Sequence, residues 1–189
     1  DKQGKWTHWE SAVYEPRQME QLRKALVETY AALKKKAIWV DGDNFDIERI
    51  DFCEYGNSIP FRIKIINKNS GHFDFFYIKQ ADASRIYGLE LEHLLTHNPI
   101  NFLYYQNTLI EEHIDGIPGD IFLQQSLQLN ADEKTDIARA FVQFNESCFA
   151  RLLGDMRSYN FVVNPVLINN QVQYRMRAID FDQQSYEGK

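Results

Sequence analysis

The sequence predicts an α+β fold in two lobes, an antiparallel-sheet lobe followed by a helical lobe. Three observations lead there. Hydrophobic periodicity along the 189 residues runs helix, three strands, helix, two strands, helix and closing hairpin. Hydrophobic residues make up 44% and aromatic residues 14%, enough for a packed core and too much for a disordered chain. A turn-rich connection, Asp115-Gly116-Ile117-Pro118-Gly119, separates the strand-rich part from the helical part. The expected divisions are an N-terminal helical extension (1–40), a small lobe (41–115) and an incomplete helical lobe (116–189).

Each element has a local reason. Pro16 suits a first helical position, and Met19, Leu22, Leu26, Tyr30 and Leu33 recur at three- and four-residue steps toward Lys36. Lys34, Lys35 and Lys36 read as a solvated helix end, where positive charge meets the helix dipole. Phe45 to Tyr55, Phe61 to Ile66 and Phe73 to Ile78 are β-branched and aromatic, with turn residues between them, and predict a meander. A helix over Ala83 to Thr96 has Ile86, Leu89, Leu91, Leu94 and Leu95 as apolar positions. Phe102 to Gln106 and Thr108 to His113 flank a tight turn at Gln106-Asn107. Asn130 with Glu133 forms a capping-box pattern before a helix of about Asp132 to Leu153, whose face carries Ile137, Phe141, Phe144, Cys148 and Leu152. Phe161 to Ile168 and Gln171 to Ile179 make a hairpin around Asn169-Asn170. Val172, Tyr174, Met176 and Ala178 mark its covered face.

Composition excludes several function classes. A net charge of −6 argues against general affinity for nucleic-acid phosphates. No stretch of about 18 apolar residues exists to span a bilayer. The polar start, Asp1 to Lys5, is unlike a secretory leader. Cys53 and Cys148 stand alone in apolar surroundings and read as buried thiols of a cytoplasmic protein. The five histidines have no metal-ligand spacing with either cysteine. Asp41-Gly42-Asp43-Asn44 fails as a calcium loop, because its glycine is misplaced and Phe52 stands at position twelve. Trp6, Trp9 and Tyr14 read as packing residues. Glu111 and Glu112 are adjacent on a strand, point to opposite faces and cannot share a substrate.

One constellation carries chemistry. Gly154-Asp155-Met156-Arg157-Ser158-Tyr159-Asn160 follows the long helix, and Asp180-Phe181-Asp182 ends the returning strand. A two-residue loop at Asn169-Asn170 puts Asn160 opposite Ile179, with Asp180 next to it. An amide oxygen and a carboxylate there, with phosphate oxygens and waters, can hold Mg²⁺. Asp155 could accept a proton from an attacking hydroxyl.

These segments resemble the protein-kinase-like superfamily, most closely its aminoglycoside and choline phosphotransferase branch. Leu153-Gly154-Asp155 through Asn160 matches the catalytic loop H-G-D-x-x-x-x-N, with leucine where the family has histidine, and Ile179-Asp180-Phe181-Asp182 matches the metal motif I-D-[FW]-[DE]. Phe75 to Lys79 is similar to the third small-lobe strand, and Leu109 to Gly116 is similar to the hinge. The resemblance spans Ile47 to Asp182. It implies a two-lobed kinase-like fold that uses ATP and Mg²⁺ to transfer the γ-phosphoryl group to a hydroxyl, on a small molecule in preference to a protein. It gives Lys79 the phosphates, Glu90 (with Glu92 as rival) the orienting of Lys79, and the backbone around Glu112 and Ile114 the adenine. Gly56, within Tyr55-Gly56-Asn57-Ser58, would serve the phosphate loop, with one glycine where protein kinases have three. Asp155 would orient or deprotonate the acceptor, and Asn160 and Asp180 would hold the metal, helped by Asp182. The alternative it allows is a kinase-like binding module without transfer. Seven residues follow Asp182, where the family continues with further helices. The expectation is therefore a fragment of a longer polypeptide, or a partner chain covering the free flank of the long helix.

Overall fold

The computed structural model describes residues 9–34, 44–54, 58–126, 128–169 and 171–185. Its elements are β1 (Trp9–Ser11), α1 (Pro16–Leu33), β2 (Phe45–Cys53), β3 (Phe61–Asn67), β4 (Phe73–Gln80), α2 (Ala83–Leu95), β5 (Phe102–Tyr105), β6 (Thr108–Glu112), β7 (Ile117–Pro118), α3 (Gly119–Ser126), α4 (Ala131–Ala150), β8 (Phe161–Ile168) and β9 (Gln171–Ala178). The fold is α+β, with four helices among the described residues. None of these helices is long and apolar enough to cross a membrane. The chain divides into two units. One holds the described residues up to Ala81 with Ile100–His113, and the other holds Asp82–Pro99 with the described residues from Ile114 onward. Helix α2, placed by sequence within 41–115, thus groups with the second unit.

The first unit is a six-stranded antiparallel sheet, ordered β1-β2-β3-β4-β6-β5, with α1 on one face. Leu26, Val27, Tyr30 and Leu33 of α1 pack on Ile47, Ile50, Ile63, Ile65 and Phe76. Residues 47 and 50 would point to opposite faces of a regular strand. A bulge between Ile47 and Arg49 brings both isoleucines to the α1 side. The other face is polar and aromatic. There Asp51, almost fully buried, takes Arg49, Arg62 and Ser11 as partners. Arg62 lies over the ring of Trp9 at 4.6 Å.

Lys34 is no solvated lysine. Its Nζ lies 3.0 Å from Asp74 and 3.2 Å from Glu112, and the Tyr30 hydroxyl donates to Asp74 at 2.8 Å. The end of α1 is thereby latched to β4 and β6. Lys35 and Lys36 lie outside the described residues, as do Trp6 and the aspartate-rich 41–43 segment.

In the second unit, β7, β8 and β9 form a small antiparallel sheet. Asn130 caps α4 as its sequence predicts: its Oδ1 accepts from the Glu133 amide, and Glu133 accepts from the Asn130 amide. Ile137, Phe144 and Cys148 form the buried stripe of α4, while Phe149 is 82% exposed. Phe144 and Phe141 meet the ring of Phe161 at 5.4 and 6.0 Å. Leu152, expected on the buried face, is exposed at φ +59° after the helix ends, and Leu153 turns inward instead. Burial pushes the Cys148 thiol up to about 12, which makes it inert, and Cys53 is half-buried.

The Lys34 latch predicts a pH profile. Burial opposes charge at Asp74, but hydrogen bonds from Lys34 and Tyr30 and the charge of Lys34 outweigh it and hold the carboxyl below its ordinary value. Burial likewise opposes charge at Lys34, yet Asp74 and Glu112 raise it above the ordinary lysine value. The Asp74 contribution is present above its unfolded pKa of about 3.9 and lost as pH falls through the lowered folded value. The Lys34 contribution is present below about pH 10.4 and lost as pH rises through its raised folded value. Thermal melts of Asp74→Asn should show a loss of roughly 1–3 kcal/mol at neutral pH and a flatter acid limb than wild type. Parallel acid limbs would remove Asp74 from the latch.

Candidate functional site

The loop after α4 closes on itself. The Asp155 carbonyl accepts from Asn160 Nδ2 at 2.7 Å and from the Arg157 amide at 2.8 Å, and the Asn160 amide donates to the Arg157 carbonyl at 2.8 Å. Asp155 sits at φ +54°, a left-handed conformation that aspartate tolerates better than most residues. Asparagine at 160 suits both needs of the loop: its amide nitrogen ties back to residue 155, and its Oδ1 accepts no hydrogen bond from the described residues.

The β8–β9 register brings the second segment alongside. Phe161 faces Ala178, and the Ile179 amide donates to the Asn160 carbonyl at 3.0 Å, so Asp180 follows directly as expected. Further bonds lace the two segments together. The Gly154 amide donates to the Gln183 carbonyl at 3.2 Å, and the Ser185 amide donates to that of Leu152 at 2.8 Å. The fully buried Gln184 donates from Nε2 to the Arg151 carbonyl at 2.6 Å. Asp155, Asn160 and Asp180 are thus brought to one end of the hairpin. Leu153 is buried, and its amide donates to the Cys148 carbonyl.

Helix α2 supplies what hydropathy reading missed. Its buried residues are Arg85, Gly88, Leu89 and Glu92, spaced three, four and seven apart, while Leu94 and Leu95 are exposed. Arg85 Nη2 lies 3.5 Å from Asp180 Oδ1 and 3.7 Å from Asp182 Oδ2, and Nη1 lies 3.3 Å from the N-cap Asp82. Glu92 forms a buried ion pair with Arg151. The helical period was present in the sequence, but two of its buried positions carry charge and escaped a search for apolar residues. Gly88 lets the helix approach Phe181: a Cβ there would stand 3.0 Å from the Phe181 Cβ.

The remaining expectations fall out unevenly. Lys79 lies near the end of β4, and its Nζ is 2.5 Å from Glu111 of β6, where the sequence had offered Glu90 or Glu92 as its partner. Glu90 is exposed with no ion pair among the described residues, and Glu92 is committed to Arg151. Glu111 and Glu112 do face opposite ways, one to Lys79 and the other to Lys34. The Glu112 amide is donated to the Asn101 carbonyl at 3.0 Å, and its carboxylate accepts from Asn101 and Lys34, so its N–H cannot serve adenine. The Ile114 amide donates to none of the described residues. Gly56 lies outside the described residues.

The donor set is oxygen only. No group of three or more His, Cys, Asp or Glu residues that could hold a metal occurs among the described residues. Asn160 and Asp180 offer two oxygen donors, the ligand type that hard cations take together with water. Counter-charges are already nearby, since Arg157 Nε lies 2.7 Å from Asp155 and Arg85 lies beside Asp180. A cavity of about 360 Å³ in the second unit, lined by Thr96, Asn98, Phe144, Arg151 and Arg175, contains none of the three site residues.

No protein-family model matches this chain, and no curated protein matches it.

Packing at Gly88 predicts that Gly88→Val, which adds a branched side chain against Phe181 and Gln184, costs roughly 1–3 kcal/mol of stability. Thermal unfolding measures it, and an unchanged melting temperature would mean that α2 does not lie against Phe181.

Proposed function

We propose that this chain is an ATP- and Mg²⁺-dependent phosphotransferase of kinase-like, two-lobed fold. It moves the γ-phosphoryl group to an acceptor hydroxyl, on a small molecule in preference to a protein. The observation that carries this reading is the meeting of Asp155, Asn160 and Asp180 at one end of the β8–β9 hairpin, in the order of the catalytic loop and metal motif they resemble. Two features add support. Lys79 is the last residue but one of the third meander strand, and the Ile114 amide, which donates to none of the described residues, follows β6 where adenine would be read.

The roles follow from chemistry. Lys79 neutralises phosphate charge. Asn160 and Asp180, with Asp182 beside them, would hold Mg²⁺, which supplies charge neutralisation on the phosphates when bound. Asp155 orients the acceptor hydroxyl and takes its proton. Positioning and electrostatics supply most of the rate in such transfers.

A second reading, a kinase-like binding module without transfer, has observations of its own. Leu153 replaces the histidine, and Arg157 and Arg85 already sit beside Asp155 and Asp180. Transfer, measured as ATP consumption over a panel of metabolites, separates the two.

Two outcomes are expected. ATP should raise the melting temperature more with Mg²⁺ than with EDTA, and Asp180→Ala should abolish that difference. Equal shifts in variant and wild type would take the metal away from Asp180. Asp155→Asn should keep ATP affinity while transfer falls by about 10²-fold or more, because Asp155 acts on the acceptor. Lost affinity in a stably folded variant would reassign it.

A further inference from the structure

Lys79 and Glu111 are brought together by register. Tyr77 faces Glu111 and Lys79 faces Leu109 across β4 and β6, so lysine and glutamate are diagonal neighbours on one face of the sheet. Their side chains are only 13% and 7% exposed. The pair is unusual in one respect: Glu111 Oε1 is buried without a hydrogen-bond partner among the described residues. Leaving a buried carboxylate oxygen unpaired is costly. A sheet that needed only stability at this spot would do as well with apolar residues.

Among the described residues, Lys79 has an ion pair with Glu111 and with no second carboxylate. The Tyr77 ring lies 5.7 Å from Nζ, and the Tyr77 hydroxyl meets His113 Nδ1 at 3.1 Å. Arg62, opposite Tyr77, is committed to Asp51. Of the α2 glutamates, Glu90 is exposed and Glu92 is paired with Arg151.

We propose that Glu111 is the positioning residue for Lys79, filling from a neighbouring strand the role that the family resemblance gives to a helix glutamate. This rests on the phosphotransferase reading. Glu111 acts through Lys79: it fixes where the amine points, so that phosphate meets a cation at a set position. A strand-borne partner is placed by the sheet register itself, so Lys79 is held whether or not a helix moves.

The test is ATP affinity at pH 7 in a double-mutant cycle. Glu111→Gln and Lys79→Ala should each weaken ATP binding by about tenfold, and the double variant should bind no worse than the weaker single, because Glu111 acts only through Lys79. Glu111→Asp should restore part of the affinity. Wild-type affinity in a folded Glu111→Gln, or additive losses in the double variant, would overturn the role of Glu111 while leaving the phosphotransferase reading intact. No ATP binding by wild type would overturn that reading, and this role with it. Melting temperatures of the variants, taken alongside, show which are folded, and Glu111→Asp carries the test if Glu111→Gln is not.

Discussion

Buried charge on one face of α2 governs the second unit. Arg85 and Glu92 are almost fully enclosed, so each must keep its partner or leave a bare charge in a dry interior. Arg85 binds the helix to Asp180 and Asp182, and Glu92 binds it to Arg151, where α4 ends. Such pairs add little net stability over apolar packing, but they tolerate few alternative registers. Gly88 and Leu89 fill the space between them, with Phe181 against the glycine. The two segments that carry Asp155, Asn160 and Asp180 are thus referenced to one helix as well as to each other.

The first unit handles its two sheet faces by different means. The α1 face is apolar and gains from burial. Its charged fastenings among the described residues are Lys34 at the helix end, which reaches Asp74 and Glu112, and the more exposed Arg23, 3.7 Å from Asp46. The opposite face is built from ion pairs and cation–π contacts around Asp51, Arg62, Trp9, Tyr77 and Lys79. Adjacent glutamates show the division at the level of two residues, since strand alternation sends Glu111 to the polar face and Glu112 to the latch.

Much of this was legible in the sequence because it is local. The β8–β9 register follows from a two-residue loop, and the α4 cap from Asn130 and Glu133. Meander, hairpins and helices lie within a few residues of their expected ends. The convergence of Asp155, Asn160 and Asp180 was legible for the same reason, as hairpin geometry joins them. What stayed hidden depends on partners far along the chain. Lys34 looks like a surface lysine until Glu112, 78 residues later, is placed beside it. Arg85 looks like a first-turn helix residue until Asp180, 95 residues on, arrives. Glu90 and Glu111 could not be ranked for Lys79 without the β4–β6 register. The short β1, β7 and α3 carry too few residues to show a period.

The division of the chain has a consequence for how it can be taken apart or assembled. Residues 82–99 belong to the second unit but interrupt the first, whose last strands come only afterwards. No single cut therefore separates the two units, and neither can be produced as one uninterrupted stretch of its own. During synthesis α1 emerges early, yet its latch waits for Glu112, by which time α2 is already made and still lacks Arg151 and Asp180. A break within residues 82–99 would cut the second unit at α2 and, by chain connectivity alone, part β5 and β6 from the earlier strands of the first.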